Sequence, residues 1–187
     1  GYGTAFTAPA SFHAMDQLGV AQYITRLSLT LSGTEALDAG KKDWLDAPEW
    51  QPLRRYVEDT LVLRDPFELF VAQNLSLDGQ LNPLIYSQLI DEHLTAKGGT
   101  AISMLTSFMP EWHDETARWI DAVVKAAAAE SPENQALISG WAKAWAERAQ
   151  AAIAPVAQMI WGDNAQQELD TARAVLNKRM EKAGLSV

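Results

Sequence analysis

The chain has no cysteine. That excludes a disulfide framework, a thiolate metal site and a cysteine nucleophile, and it fits a reducing compartment. Histidine is scarce too, with His13, His93 and His113 the three in 187 residues. Basic residues are outnumbered: 15 Lys and Arg against 24 Asp and Glu leave a formal charge of −9. Such an excess of carboxylates repels phosphates, so nucleic acid and anionic membrane are poor partners. No uncharged apolar run reaches the roughly 18 residues that a spanning helix needs. The longest candidate, around Gly98 to Pro110, is interrupted by Gly, Ser and Thr. The opening Gly1-Tyr2-Gly3 has no basic region and no apolar stretch after it, so no secretory leader is read there. The expectation is a soluble cytoplasmic protein. Alternating β-branched residues are nearly absent, so strands are not expected.

What is abundant is alanine, with Leu, Glu, Gln and Lys, all strong helix formers. The punctuation predicts an all-α chain of seven or eight helices. Ser11 caps a helix running to Leu31, stopped by Ser32-Gly33. Thr34 starts the next, which ends near Asp46. Pro48 opens a helix through Leu63, and Asp65-Pro66 repeats the signal of a capping carboxylate before a first-turn proline. Asp78-Gly79 is read as a break, followed by a helix to Lys97 that Gly98-Gly99 ends. Thr100 starts a long helix to Ala129, kinked at Pro110. Ser131-Pro132-Glu133 caps another, kinked or broken at Pro155, and Gly162-Asp163-Asn164 separates a last helix ending at Gly184. No linker divides the chain, so residues 1–187 are expected to form a single helical domain.

Charge is unevenly spread. Residues 1–33 carry only Asp16 and Arg26, and residues 66–110 only Glu68, Asp78, Asp91, Glu92 and Lys97. A surface helix needs a charged face, so helices this poor in charge are covered on more than one side. Either they form the centre of a bundle or a partner subunit covers them. Aromatic content within these stretches makes Phe12, Tyr23, Phe67 and Phe70 candidates for a subunit interface. Trp112 with Trp119, and Trp141 with Trp145, each share a helix face; such pairs belong to cores and to interfaces alike.

A search for chemistry returns little. A di-iron helical bundle needs a Glu from each of two helices and Glu-x-x-His from each of two others, because residues three apart share a helix face. The residues three before the histidines are Ala10, Ile90 and Pro110, so neither Glu-x-x-His nor Asp-x-x-His occurs. His113 lies among Glu111, Asp114 and Glu115, which leaves a mononuclear metal site as an alternative, although consecutive helical residues do not face one another. His93, after Asp91-Glu92, is read as a helix-end residue that complements the dipole. There is no Gly-x-Ser-x-Gly elbow and no phosphate-cradling glycine loop with lysine.

Three stretches are more specific. They are Trp50-Gln-Pro-Leu-Arg-Arg-Tyr-Val-Glu58, Asp65-Pro-Phe-Glu-Leu-Phe-Val-Ala-Gln-Asn-Leu75, and Met104-Leu-Thr-Ser-Phe-Met-Pro-Glu-Trp-His-Asp-Glu115 continuing through Arg118-Trp119 and Asp121 to Lys125. Together they resemble the β subunit of the oxygenase component of bacterial multicomponent monooxygenases, the phenol hydroxylases ahead of the toluene monooxygenases. The resemblance covers nearly the whole chain. Since such subunits are longer, the chain is expected to be a C-terminal portion of one.

The resemblance implies a ferritin-like, ribonucleotide-reductase-like helical bundle with extra helices. It implies a dimer of αβγ protomers in which α holds the di-iron centre and hydroxylates phenol or related aromatics with O2. The β subunit then supports α and carries no catalytic residue, metal or cofactor of its own. A reductase with FAD and an iron–sulfur cluster passes electrons from NAD(P)H, and a small regulatory protein completes the system. Where α subunits carry Asp-Glu-x-x-His, this chain reads Asp114-Glu115-Thr116-Ala117-Arg118. Arginine cannot ligate iron. The expectation is that Arg118 replaces the metal's charge and pairs with Glu115 and with Asp78, which falls near a ligand position of the preceding helix. The simpler alternative is an ordinary surface pair. Two other readings of the whole chain stand beside the supporting subunit: a free-standing helical scaffold or binding protein, and an independent enzyme with a metal at His113.

Overall fold

The computed structural model describes residues 3–186; Gly1, Tyr2 and Val187, and with them most of the expected leaderless opening, lie outside the described residues. Every regular element among the described residues is helical. They fall into two compact units, one ending at Gln51 and one starting at Pro52.

The first unit is dominated by α1 (Thr4–Asp46). Gly33 interrupts its helical backbone at φ 70° and ψ −168°, a conformation open essentially to glycine alone. The sequence break expected there is therefore a kink. Ser11 does not start the helix: its hydroxyl bonds back to the Thr7 carbonyl from within it, and Pro9 lies inside. Phe12, Met15 and Leu18, at three-residue spacing, are all strongly exposed. Trp44 and Trp50 meet at the end of this unit with ring centroids 6.2 Å apart.

The second unit begins with α2 (Gln51–Thr60), which Pro48 precedes from a turn rather than opens. A composite helix follows, made of α3 (Pro66–Phe70), a π-helical segment (Val71–Leu77), α4 (Asp78–Asn82) and a second π-helical segment (Pro83–Leu94). Asp65 caps it, its Oδ1 accepting from the Phe67 and Glu68 amides at 2.7 and 3.2 Å. The break expected at Asp78-Gly79 does not occur; both residues lie within the helix. The reason is a buried row at four-residue spacing, Ala72, Ser76, Gln80, Leu84 and Gln88. In an α-helix such a row drifts about 40° per step, and the wider π turns carry it back toward one face.

Gly98 at φ 92° ends this helix. Then come α5 (Thr100–Thr106) and α6 (Phe108–Ala128), separated at Ser107. The kink expected at Pro110 is thus a break three residues earlier, near the Thr106 carbonyl that the missing proline N–H leaves without its helical donor. α7 (Pro132–Trp161) is capped by Ser131, whose Oγ accepts from the Asn134 amide at 3.1 Å. It runs unbroken past Pro155, because Ala152, Ile153, Val156 and Ala157 are buried around it. A short 3₁₀ turn at Gly162–Asn164 leads to α8 (Ala165–Lys182).

The core lies between the composite helix, α6, α7 and α8. Leu75, Met109, Ile120, Ile153, Leu176 and Met180 are fully buried there. Ala142, Ala146, Ala149 and Ala157 of α7 are also buried, and such small side chains let the first π segment approach the α7 backbone. Gly79 serves the same end: a Cβ there would stand 3.0 Å from Leu176 Cδ1 and 3.1 Å from Arg179 Nη1. Gly79→Val should therefore lower the unfolding free energy by about 1–3 kcal/mol in urea titration. Gly140→Ala, at a helical glycine with nothing within 4 Å of the added atom, should raise it by about 0.5–1 kcal/mol.

Candidate functional site

The central helix carries polar side chains that water does not reach: Gln80 is answered from a neighbouring helix, whereas Ser76 Oγ and Gln88 Oε1 have no hydrogen-bond partner among the described residues. Tyr56 of α2 donates its hydroxyl to the Ala72 carbonyl at 2.8 Å, with the Trp145 carbonyl at 3.4 Å. Gln80 donates to the Ser76 carbonyl and, across the bundle, to that of Ala146, both at 3.0 Å. Trp145 Nε1 donates to Glu68 Oε1 at 3.0 Å. The Trp145 ring stands edge-on to Tyr56 and carries the Arg148 guanidinium 4.0 Å from its centroid, while Arg148 pairs with Asp59. This network clamps the widened helix against α2 and α7.

Burial raises the Tyr56 pKa well above its ordinary value of 10.0; nearby Arg148 opposes the rise and Asp78 reinforces it. Burial also raises that of Tyr86.

The expected charge cluster is placed differently. Asp78 is half-buried on α4, close enough to Tyr56 for its charge to act there. Glu115 and Arg118 are both exposed on α6. Neither makes an ion pair or side-chain hydrogen bond among the described residues. The chain by itself therefore does not bury Arg118 against Glu115 and Asp78. The phase of α6 explains this: its buried stripe is Met109, His113, Ala117, Ile120 and Val124, and residues 115 and 118 fall off it. The carboxylate–arginine pair at the bundle interior is instead Asp121 with Arg179 of α8. Arg179 Nη2 lies 2.9 Å from Asp121 Oδ1 and Nε 3.2 Å from both oxygens, with side chains 13% and 29% exposed. Sequence reasoning passed over Asp121, although its place one turn after Ala117 put it beside the apolar stripe.

His113 is buried, whereas Glu111, Asp114 and Glu115 around it are exposed. Among the described residues no three His, Asp or Glu side chains gather where they could hold a metal ion. The residues present therefore do not fit a di-iron or mononuclear centre. Instead, His113 helps line a cavity of about 260 Å³ with Gln88, Glu92 and Asp114. No helix among the described residues is long and apolar enough to cross a membrane. Of the interface candidates, Phe12 is exposed and Tyr23 and Phe67 are half-buried. Phe70 is 4% exposed and lies in the chain's own core, where its ring meets Trp119 edge-on at 5.3 Å and Phe67 at 5.8 Å.

These features define a helical-bundle protein whose interior is built for packing and hydrogen bonding, with no metal-ligand cluster among its described residues. Residues 1–131 match the family described as Methane/Phenol/Alkene Hydroxylase, and the chain belongs to it. It is 47% identical to the oxygenase component DmpL of phenol 2-monooxygenase from Pseudomonas sp. (strain CF600), over 93% of this chain and 52% of that one. It is 29% identical to the hydroxylase β subunit of the toluene-4-monooxygenase system of Ectopseudomonas mendocina, over 73% of this chain and 41% of that one. The crystal structure of xenon-pressurized phenol hydroxylase from Pseudomonas sp. OX1 superposes with a TM-score of 0.85 at 40% identity, covering 92% of this chain and 52% of that one. The fold is the ferritin-like helical fold of that neighbour. The chain spans about half the length of these relatives.

Two outcomes test the bracing network. Replacing Arg179 by Met leaves the half-buried Asp121 carboxylate unpaired and should cost about 1–3 kcal/mol in chemical denaturation, whereas Arg118→Met should change stability by less than about 0.5 kcal/mol. For Tyr56 the neutral phenol is the form the fold favours. Its contribution is thus fully present below the unfolded pKa of 10.0 and is lost as pH rises through the higher folded value. Stability should fall above pH 10, and less steeply in Tyr56→Phe, followed by tyrosinate absorbance alongside circular dichroism.

Proposed function

We propose that this chain is a supporting, non-catalytic β-type subunit of the oxygenase component of an aromatic, phenol-hydroxylating monooxygenase. In this reading it packs against a larger α subunit that holds the di-iron centre and hydroxylates phenol or a related ring with O2. A γ subunit completes a dimer of αβγ protomers in the cytoplasm. Electrons come from NAD(P)H through a reductase with FAD and an iron–sulfur cluster, and a regulatory protein tunes the reaction. The similarity to DmpL across almost the whole chain carries the reading. The physical support is α1. Its part before Thr34 carries only Asp16 and Arg26 and exposes Phe12, Met15, Leu18 and Leu31, apolar side chains that water disfavours at a surface.

The part of the chain for the chemistry is then mechanical. The Tyr56, Gln80 and Arg179–Asp121 contacts hold one rigid bundle, and a rigid bundle fixes the surface on which a metal-bearing partner rests. Co-expression with the tagged large oxygenase subunit of the same system should give stoichiometric co-elution in size exclusion, with iron proportional to the large subunit alone. A chain that elutes by itself and retains its own iron would overturn the proposal. Replacing Phe12, Met15 and Leu18 together by Ser should reduce co-elution at least tenfold while leaving the helical content of the isolated chain unchanged, as read by circular dichroism.

A further inference from the structure

Two π-helical segments flank the short α4 in the central helix, and two buried polar atoms at this stretch have no hydrogen-bond partner among the described residues: Ser76 Oγ and Arg179 Nη1. Leaving such atoms unpaired is costly. Hydroxyls on the α-helices of this chain fold back on the carbonyl four residues earlier. Ser11, Thr25, Thr30, Thr106 and Thr171 all do so, at 2.8–2.9 Å. The matching acceptor for Ser76 is the Ala72 carbonyl, and Tyr56 already donates to it at 2.8 Å. A carbonyl oxygen has two lone pairs. In a π turn one of them serves the amide five residues on, as the Gln73 carbonyl serves the Asp78 amide. Tyr56 takes the other at Ala72, so Ser76 is excluded. Arg179 shows a second mismatch. Its Nε and Nη2 meet Asp121, while Nη1 lies 3.1 Å from where a Cβ on Gly79 would stand. The residue just before that glycine is an aspartate.

We infer that the central helix has a second register, reached when the extra residue held in the first π segment moves into α4. Residues 71–77 then wind as α-helix. Each residue from 78 to 81 takes the place of its successor, a slide of about 1.5 Å and a turn of about 100°. Asp78 arrives where Gly79 stood, and its carboxylate meets Arg179 Nη1. The Leu176 Cδ1 methyl, 3.0 Å from the same Cβ position, moves aside. Ser76 Oγ donates to the Ala72 carbonyl, and Tyr56 keeps its other acceptor, the Trp145 carbonyl, which stands 3.4 Å away in the observed register. Against these gains, Gln80 leaves the Ala146 carbonyl to which it donates at 3.0 Å, so the observed register is the more populated. The chain before Val71 and after Pro83 stays in place, and the bundle need not open. Tyr56 secures one state and Asp78 the other, which makes residues 71–82 a switch within the core.

Register shifts of helices fall on the microsecond-to-millisecond scale, where relaxation dispersion and saturation-transfer NMR detect them. On the isotope-labelled full chain, exchange is expected at the amides of residues 71–82 and at the Arg179 guanidinium. The minor state should hold roughly 0.1–10% of the molecules, and its Cα shifts should be helical. Tyr56→Phe frees the Ala72 carbonyl and should raise the minor population about fivefold. Ser76→Ala and Asp78→Asn each remove a gain of the second register and should lower it about fivefold. These two variants carry the test should Tyr56→Phe fold poorly. Opposite responses of Tyr56→Phe and Asp78→Asn separate a register switch from general loosening, which would raise exchange in both. Absence of exchange in the native chain overturns the inference. So do random-coil shifts in the minor state, which mean local unfolding, and a minor population that Ser76→Ala and Asp78→Asn leave unchanged.

Discussion

The fold depends on one constraint: a helix carrying amide and hydroxyl side chains runs through the interior of the second unit. Buried polar groups must find partners or they destabilise the fold. Gln80 finds its partner in the Ala146 carbonyl, which is reachable because α7 presents alanines there. Tyr56 finds the Ala72 carbonyl inside the widened segment. The small residues of α7, the glycine at 79 and the wide helical turns are thus parts of one solution. Close approach brings backbone acceptors within reach of side chains on the facing helix.

That solution divides the polar interior in two. Toward α2 and α7, Tyr56, Gln80 and Trp145 find acceptors within the chain, while the buried Ser76 Oγ does not. Toward the start of α6 and α8, the buried Gln88 Oε1 has no hydrogen-bond partner among the described residues. The Asp121–Arg179 pair stands near the glycine that admits the guanidinium, 3.1 Å from where a Cβ would be. Such a pair adds less to net stability than its geometry implies, since both charges leave water to form it. What it does securely is set α6 and α8 in one register. The family to which the chain belongs is described as Methane/Phenol/Alkene Hydroxylase.

Much of this was legible in the sequence. Helical class, the caps at Asp65 and Ser131, an interruption at Gly33 and the stop at Gly98 follow from local chemistry: a carboxylate or hydroxyl before a first turn, or a backbone that only glycine adopts. The missing Glu-x-x-His spacing was equally readable, because ligand geometry on a helix is local. The family was readable from three stretches whose residues are unusual together.

Other features were decided only by packing. Asp78-Gly79 reads as a break because aspartate and glycine disfavour helix interiors, but burial on several sides overrides propensity and glycine becomes a point of close approach. Phe70 reads as an interface residue from charge-poor surroundings; the chain's own Trp119 covers it. Arg118 reads as the interior cation from its place after Glu115. The apolar stripe of α6 turns it outward and gives that role to Arg179, which is 58 residues from its partner Asp121. The sequence by itself determined the helical class, the caps at Asp65 and Ser131 and the family, since those rest on residues a few positions apart. The tertiary structure decided which polar side chains face inward and which are answered there, because that depends on distances between helices that no local pattern contains.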